Sequence, residues 1–218
     1  GATSVVLEDV AGPLAGTIDA DLIGLAQEFD TRSFPLLLNF GDPLAYDAQT
    51  DGNGRIIMLF TPRVNSQGAN LLGFVAGCDL FAPSQDPAVA ASNQAEIFYA
   101  RTVTDTSPTS TTLSGRAQWR RQMPAVMIHE AKHITSYAER LSRSASQFEQ
   151  VWLEEATAQV ASELYGRVIH GNTWRGDAVY NPTLWCEDRP TTPECAGGVI
   201  AMANHFAFLS DYLQNFEA

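Results

Sequence analysis

A long helical repeat of apolar residues in the second half of the chain limits the fold more than any other sequence feature. Apolar side chains recur there at steps of three and four residues, which is the spacing of one helix face. The repeat consists of Met127, Ala131, Ile134, Ala138 and Leu141. It predicts a helix that begins between residues 115 and 124 and ends near residue 141. Residues 127–134 of this helix read Met-Ile-His-Glu-Ala-Lys-His-Ile, which contains the pattern H-E-x-x-H.

The two histidines of this pattern can bind one metal ion together. His129 and His133 are one helical turn apart, so both imidazoles can point at the same ion. Glu130 lies about 60° beyond His133 around the helix axis, beside that ion without having to bind it. We therefore predict that His129 and His133 are zinc ligands and that Glu130 is a general base. A catalytic zinc also needs a third protein ligand and an open position for water.

Two known sources of a third ligand do not fit this sequence. The metzincin pattern continues with a glycine and a third histidine, but Ser136 and Glu139 occupy those positions. Peptide deformylases use an upstream cysteine, and Gly77-Cys78 has no other part of their signature. We therefore expect Cys78 to be a small buried apolar residue rather than a ligand.

The remaining candidates are two adjacent glutamates on the next predicted helix, Glu154 and Glu155. We favour Glu155, because it shares one sector of that helix with Trp152, Ala156 and Val160, which we expect to face the first helix. Glu154 would project from another side, and its replacement by alanine is expected to be nearly silent.

Residues 152–158 read Trp-Leu-Glu-Glu-Ala-Thr-Ala, and together with H-E-x-x-H this sequence resembles the gluzincin metallopeptidases. It is most similar to the hyicolysin-type family of secreted bacterial peptidases, with weaker similarity at residues 51–60 and 92–99. The register of the family pattern also selects Glu155 as the third ligand. The resemblance implies zinc-dependent peptide hydrolysis. Three positions depart from the pattern, namely Lys132, Glu154 and Gln159.

The same resemblance implies an α+β, zincin-like fold with the zinc in a cleft between two lobes. We predict one metallopeptidase domain over residues 1–218, with a small mixed sheet in residues 1–113 and a mostly helical lobe in residues 114–218. An edge strand within residues 71–81 or 96–103 is expected to pair with extended substrate. The pattern predicts strands at 4–7 and 55–61, extended segments at 70–81 and 96–103, helices at 18–29, 148–165 and 199–216, and a loop at 174–198. Gly166 is expected to end the second long helix.

The charge balance excludes some classes of partner. The chain has 25 acidic and 13 basic residues and a net charge of −12, which disfavours nucleic-acid binding. The small basic cluster of Arg116, Arg120 and Arg121 is expected to be a solvated helix face, the alternative being that it binds acidic substrate or structural carboxylates. No apolar run is long enough to span a membrane. We expect a monomer that acts on protein or peptide substrates.

Cys186 and Cys195 flank a turn-forming segment without the spacing of a metal site, so we predict a disulfide between them, the alternative being two unpaired thiols. A disulfide would place the protein in an oxidising compartment. Together with the family resemblance, it predicts a secreted bacterial protein, either alone or as part of a larger surface protein.

Other roles stay open at the level of sequence. A gluzincin needs a hydrogen-bond donor to the developing oxyanion, and Tyr180 and His205 are both candidates. Residues 47–54 have the acidic and glycine content of a calcium loop, but a plain turn is the simpler interpretation. The alternative to an enzyme is a non-catalytic zinc-containing surface or binding module, an idea that Lys132 keeps open.

Overall fold

The fold is mixed α+β, with a small four-stranded sheet and several helices, as the sequence predicts. The structure is a computed structural model that describes residues 1–145, 147–173, 175–176, 182–187, 189, 195, 198–202 and 205. The strands are β1 (Ser4–Glu8), β2 (Ile56–Phe60), β3 (Gly73–Phe74) and β4 (Ile97–Ala100). The helices are α1 (Asp19–Glu28), α2 (Phe34–Leu37), α3 (Pro62–Asn65), α4 (Arg116–Ser142), α5 (Val151–Ile169) and α6 (Pro182–Trp185).

The sheet has the strand order β1-β2-β4-β3, in which β1, β2 and β4 are parallel and β3 is antiparallel to β4. Gly73 pairs with Ala100 and Phe74 pairs with Tyr99. The prediction of an edge strand within residues 71–81 is therefore confirmed. The alternative within residues 96–103 is wrong, because β4 lies between β2 and β3. Only two residues of the segment 70–81 form a strand, and the chain then enters a helical turn at Gly77–Leu80.

The core joins the sheet to helix α4. Alternate residues of β2 are fully buried, namely Ile56, Met58 and Phe60, as the period of two of a strand requires. The ring of Phe60 meets the edge of Trp119 at a centroid distance of 5.4 Å, and the Trp119 Nε1–H donates a hydrogen bond to the backbone oxygen of Arg101 at 2.7 Å. These contacts fix the first turns of α4 against the sheet.

Helix α5 extends beyond its predicted end. The prediction that Gly166 ends it is wrong, because α5 continues to Ile169. Gly166 instead serves close packing, since a Cβ atom there would lie 2.8 Å from the sulfur of Met202. Gly171, with φ of +67°, lies just beyond the helix and supplies the left-handed residue that commonly follows a helix end.

The face of α5 that packs against α4 also differs from the prediction. Trp152 is 70% exposed and Val160 is 44% exposed, so the sector that they mark faces outward. The buried face instead carries Glu154, Ala158, Ala161 and Tyr165. Small residues predominate there because they allow the two helices to approach closely. The sequence argument therefore assigned the wrong face to the helix interface.

The predicted disulfide between Cys186 and Cys195 is confirmed. Cys78 is a free thiol and is half-buried rather than buried. Arg121 is also buried, and it donates hydrogen bonds to the backbone oxygens of Cys186 and Glu187. It is therefore not part of a solvated face.

Two further predictions concern residues at the C-terminal end of the chain. The last predicted helix, 199–216, lies mostly outside the described residues, and so does Tyr180. The described part of the predicted loop 174–198 contains the short helix α6. None of the helices in the described ranges has the length and apolar character needed to cross a bilayer.

Candidate metal centre

Three side chains from the two long helices converge on one point. The Nε2 atoms of His129 and His133 are 3.3 Å apart. The carboxylate of Glu155 approaches both of them, with distances of 3.5 Å to His129 Nε2 and 3.7 Å to His133 Nε2. The structure thus brings together the three residues that the sequence predicted as ligands, two from α4 and one from α5.

This donor set fits a zinc ion. Two imidazole nitrogens and a carboxylate are a usual ligand set of catalytic zinc, and two ligands bound at about 2.05 Å in a tetrahedron lie roughly 3.3 Å apart. The three separations given above are close to that value. The Glu155 side chain is 56% exposed whereas His133 is buried, so the side of the site nearest Glu155 is open to solvent.

The surroundings of His129 favour its neutral form. Burial, with smaller contributions from His133 and Lys132, lowers the pKa of His129 to about 4. A neutral imidazole is the form that binds a metal ion. At neutral pH, therefore, His129 does not have to lose a proton before it can bind a metal ion.

Glu130 lies beside the three convergent residues at the base of a cleft. Its side chain is buried, and this burial, together with the charge of Glu155, raises its pKa to about 8 in the metal-free protein. A nearby cation would favour the ionised form. A carboxylate whose pKa is close to neutral is suited to accept and return a proton.

Two buried charged residues support the site from behind, and sequence reasoning missed their role. Nδ1 of His133 lies within hydrogen-bond distance of Glu154 Oε1, at 3.0 Å, and Lys132 Nζ lies 3.2 Å from the same oxygen. Burial opposes ionisation of Glu154, but the hydrogen bond from His133 and the charge of Lys132 outweigh it, so the pKa of Glu154 is lowered. Glu154 therefore faces the other helix instead of projecting from another side, and these contacts argue against the expectation that its replacement by alanine is nearly silent. Lys132 and Glu154 carry opposite charges and both depart from the family pattern. This combination was the sequence signal that could have revealed their contact.

The cleft above the site has a volume of about 510 Å³ and is bordered by β3. The edge strand crosses close to α4. A Cβ atom at Gly73 would lie 3.1 Å from Val126 Cγ1 and 3.2 Å from Glu130 Cγ. Glycine at this position therefore lets the backbone of β3 pass directly beside the predicted general base.

Two candidates for an oxyanion donor line the cleft. His205, one of the two predicted oxyanion donors, is among them, and burial lowers its pKa. Tyr137 also lines it, one turn beyond His133 on α4, and the sequence analysis did not select it. Its position four residues after His133 was the signal that could have found it.

A second acidic group lies away from the cleft, where the chain turns as predicted for residues 47–54. Asp47 accepts a hydrogen bond from the backbone N–H of Gly54, and the carboxylates of Asp47, Asp51 and Glu96 lie near one another. Glu96 is fully buried and its carboxylate accepts from the Thr50 hydroxyl. Burial, and to a lesser degree the two aspartates, raise the pKa of Glu96 from 4.5 to about 7.

Replacing Glu96 with glutamine is expected to stabilise the protein above pH 7. A protonated Glu96 stabilises the fold below pH 4.5, and this contribution is lost as the pH rises through about 7, at a cost of about 3 kcal/mol. Glutamine keeps an acceptor for Thr50 without the charge. Urea unfolding in the presence of a chelator should show Glu96→Gln to be more stable than wild type at pH 8, with a smaller difference at pH 5. An equal loss of stability at both pH values would contradict this assignment.

Comparisons with protein-family models, curated proteins and solved structures found no match to this chain.

Proposed function

We propose that this protein is a zinc-dependent peptidase that hydrolyses peptide bonds in proteins or peptides. The observation that carries the proposal is the convergence of His129 Nε2, His133 Nε2 and the Glu155 carboxylate within 3.7 Å of one another, with Glu130 beside them in the same cleft. A structural zinc site is normally closed by four Cys or His ligands, whereas this set has three ligands and an open side. The proposal includes a zincin-like arrangement of the two parts of the chain around that cleft.

In this proposal His129, His133 and Glu155 hold the zinc. The ion supplies Lewis-acid activation of the attacking water and of the scissile carbonyl. Glu130 accepts a proton from that water at its carboxylate and passes it to the nitrogen of the leaving amine. The lowered pKa of His129 keeps its imidazole neutral and its ring nitrogen available at neutral pH. His205 and Tyr137, which line the cleft, are the two side chains that we propose as hydrogen-bond donors to the developing oxyanion.

Substrate binding in this proposal uses strand β3. It pairs with β4 along one edge, and Gly73 and Phe74 border the cleft. An extended peptide can add to an edge strand through backbone hydrogen bonds, which accept many side-chain sequences. This mode of binding orients the peptide backbone beside Glu130, because Gly73 passes so close to that residue that a Cβ atom at Gly73 would lie 3.2 Å from Glu130 Cγ.

The disulfide supports a secreted location in the proposal. Disulfides persist in oxidising compartments, and the Cys186–Cys195 bridge lies near the buried Arg121 of α4. A secreted peptidase would meet its protein substrates outside the cell. The net charge of −12 disfavours nucleic acid as a competing partner.

The direct test is cleavage of casein and of a quenched peptide library by the purified protein. We expect cleavage that a chelator abolishes and that added zinc restores, with products identified by mass spectrometry as the two halves of a hydrolysed peptide bond. The reason is that the ligand set holds the ion by three side chains only, so a chelator can compete for it. Chelator-resistant cleavage would contradict the zinc mechanism. The absence of cleavage at full zinc occupancy would contradict the proposal that the protein is a peptidase.

A further inference from the structure

The two charged residues behind the site form a contact between its two ligand-bearing helices. Lys132 lies on α4 between His129 and His133 in sequence, and Glu154 lies on α5 directly before Glu155. Both side chains are only 5% exposed. A buried charge without a partner is costly, so each of these residues depends on the other for its place in the fold.

The hydrogen-bonding capacity of Lys132 is fully used. Its ammonium group has three N–H donors, and three acceptors surround Nζ. They are Glu154 Oε1 at 3.2 Å, Ser136 Oγ at 2.6 Å and Thr157 Oγ1. Two of these acceptors belong to α5 and one to α4. The ammonium group therefore holds Glu154 at a fixed position relative to both helices.

The contact of Glu154 with His133 has a chemical consequence. An ionised carboxylate can only accept, so His133 must donate from Nδ1 to Glu154 Oε1, over 3.0 Å. The neutral ring then carries its proton on Nδ1 and leaves Nε2 with a free lone pair. That atom faces His129 Nε2 at 3.3 Å and the carboxylate of Glu155.

The geometry of the ion pair between Lys132 and Glu154 is not what a purely stabilising contact would require. Both of its charged interactions use Oε1 of Glu154, while Oε2 is buried without a hydrogen-bond partner among the described residues. Apolar residues of similar volume often replace such a buried ion pair without loss of stability. The pair reaches the predicted metal ligands through the hydrogen bond between Glu154 and His133.

From these contacts we infer that Lys132 and Glu154 act as a matched positioning pair that fixes the ring orientation and the Nδ1–H tautomer of His133. The pair explains two departures from the family pattern together, since the lysine between the histidines and the glutamate before Glu155 compensate each other. The inference rests on the proposed function only in taking His133 as a metal ligand. Partners that orient a metal-binding histidine typically change metal affinity by roughly 10- to 100-fold.

The tautomer of His133 can be measured in the metal-free protein, independently of catalysis. Nitrogen-15 spectra of histidine-labelled protein at about pH 8 distinguish a ring that carries its proton on Nδ1 from one that carries it on Nε2. We expect His133 to carry it on Nδ1, whereas free histidine in water favours Nε2. A wild-type spectrum with the proton on Nε2 would overturn the inference without any variant.

Two double variants separate positioning from folding. Lys132→Met with Glu154→Leu removes both charges and the acceptor, and it should shift His133 to the Nε2–H form and weaken zinc binding by roughly 10- to 100-fold. Lys132→Met with Glu154→Gln keeps a neutral acceptor and should restore the Nδ1–H form. Glu163→Gln removes a carboxylate that pairs with Arg167 on the same helix and should leave the His133 spectrum unchanged.

The outcomes distinguish this inference from the proposed function. If the Leu-containing variant folds and His133 keeps its Nδ1–H form and its zinc affinity, the positioning pair is wrong even if the protein is a peptidase. If the spectra change as expected and no peptide is cleaved, the positioning pair stands and the proposed function fails.

Discussion

Replacing Glu130 with glutamine is expected to lower kcat for peptide cleavage by about 10²- to 10⁴-fold, which is the usual contribution of a general base. Glutamine has nearly the same shape but cannot accept the proton from the attacking water. Zinc binding should persist, since the convergent ligand atoms belong to His129, His133 and Glu155. Steady-state cleavage of a quenched peptide and the zinc content per chain measure the two quantities on one sample.

The matched control for this variant is Glu139→Gln. Glu139 lies on the same helix, where its carboxylate pairs with Arg143 at 2.6 Å, and it does not line the cleft among the described residues. This control should keep both cleavage and zinc. If Glu130→Gln were as active as this control, Glu130 could not be the general base.

Replacing Glu155 with alanine is expected to weaken zinc binding by on the order of 10³-fold or more, because two imidazoles and solvent would be left on the ion. The change should barely disturb folding. The Glu155 side chain is 56% exposed, and alanine is the best helix former. Competition against a chromophoric chelator measures the affinity, and thermal unfolding of the metal-free protein measures the stability.

Comparison with neighbouring glutamates makes this result specific. Glu163→Ala on the same helix should leave zinc affinity unchanged. The Lys132→Met/Glu154→Leu variant should lose less affinity than Glu155→Ala, because Glu154 contacts the ring of His133 rather than the ion. Unaltered zinc affinity in Glu155→Ala would show that the third ligand, and the family register that selected it, are wrong.

The sequence was sufficient to predict the local elements that carry the site. The apolar repeat predicted α4, and its observed end at Ser142 is one residue beyond the predicted position. The pattern H-E-x-x-H then placed His129 and His133 on one turn, as helical geometry requires. Glu155 was selected both by the sector argument, whose predicted packing face is wrong, and independently by the register of the family pattern. The structure places its carboxylate 3.5 Å from His129 Nε2.

The sequence argument predicted the wrong packing face for α5, because it relied on the large apolar side chains of that helix. The prediction relied on Trp152 and Val160, whereas the stripe that packs inward consists of Ala158, Ala161 and Tyr165. Small residues contribute little to a hydrophobic pattern, yet they allow close helix packing. The same error placed Glu154 outside, although its partner Lys132 was visible in the sequence.

Long-range strand pairing was also beyond local sequence patterns. The segment 70–81 looked uniformly extended, but only Gly73 and Phe74 pair with β4. Which of two extended segments forms the sheet edge depends on strand order, and strand order depends on how α4 packs across the sheet. Period-two patterns describe one strand at a time, so both candidates were kept at that stage.

Titration of the metal-free protein with zinc, with peptide cleavage recorded at each addition, tests the central claim most directly. The three convergent side chains come from one chain and would form one zinc site, so cleavage should rise in proportion to added zinc and reach its plateau at one equivalent per chain. Tight binding of one equivalent of zinc without cleavage of any library peptide would contradict the proposed peptidase activity. It would favour a non-catalytic zinc-containing module. Cleavage that is already maximal before zinc is added would contradict the role of the metal.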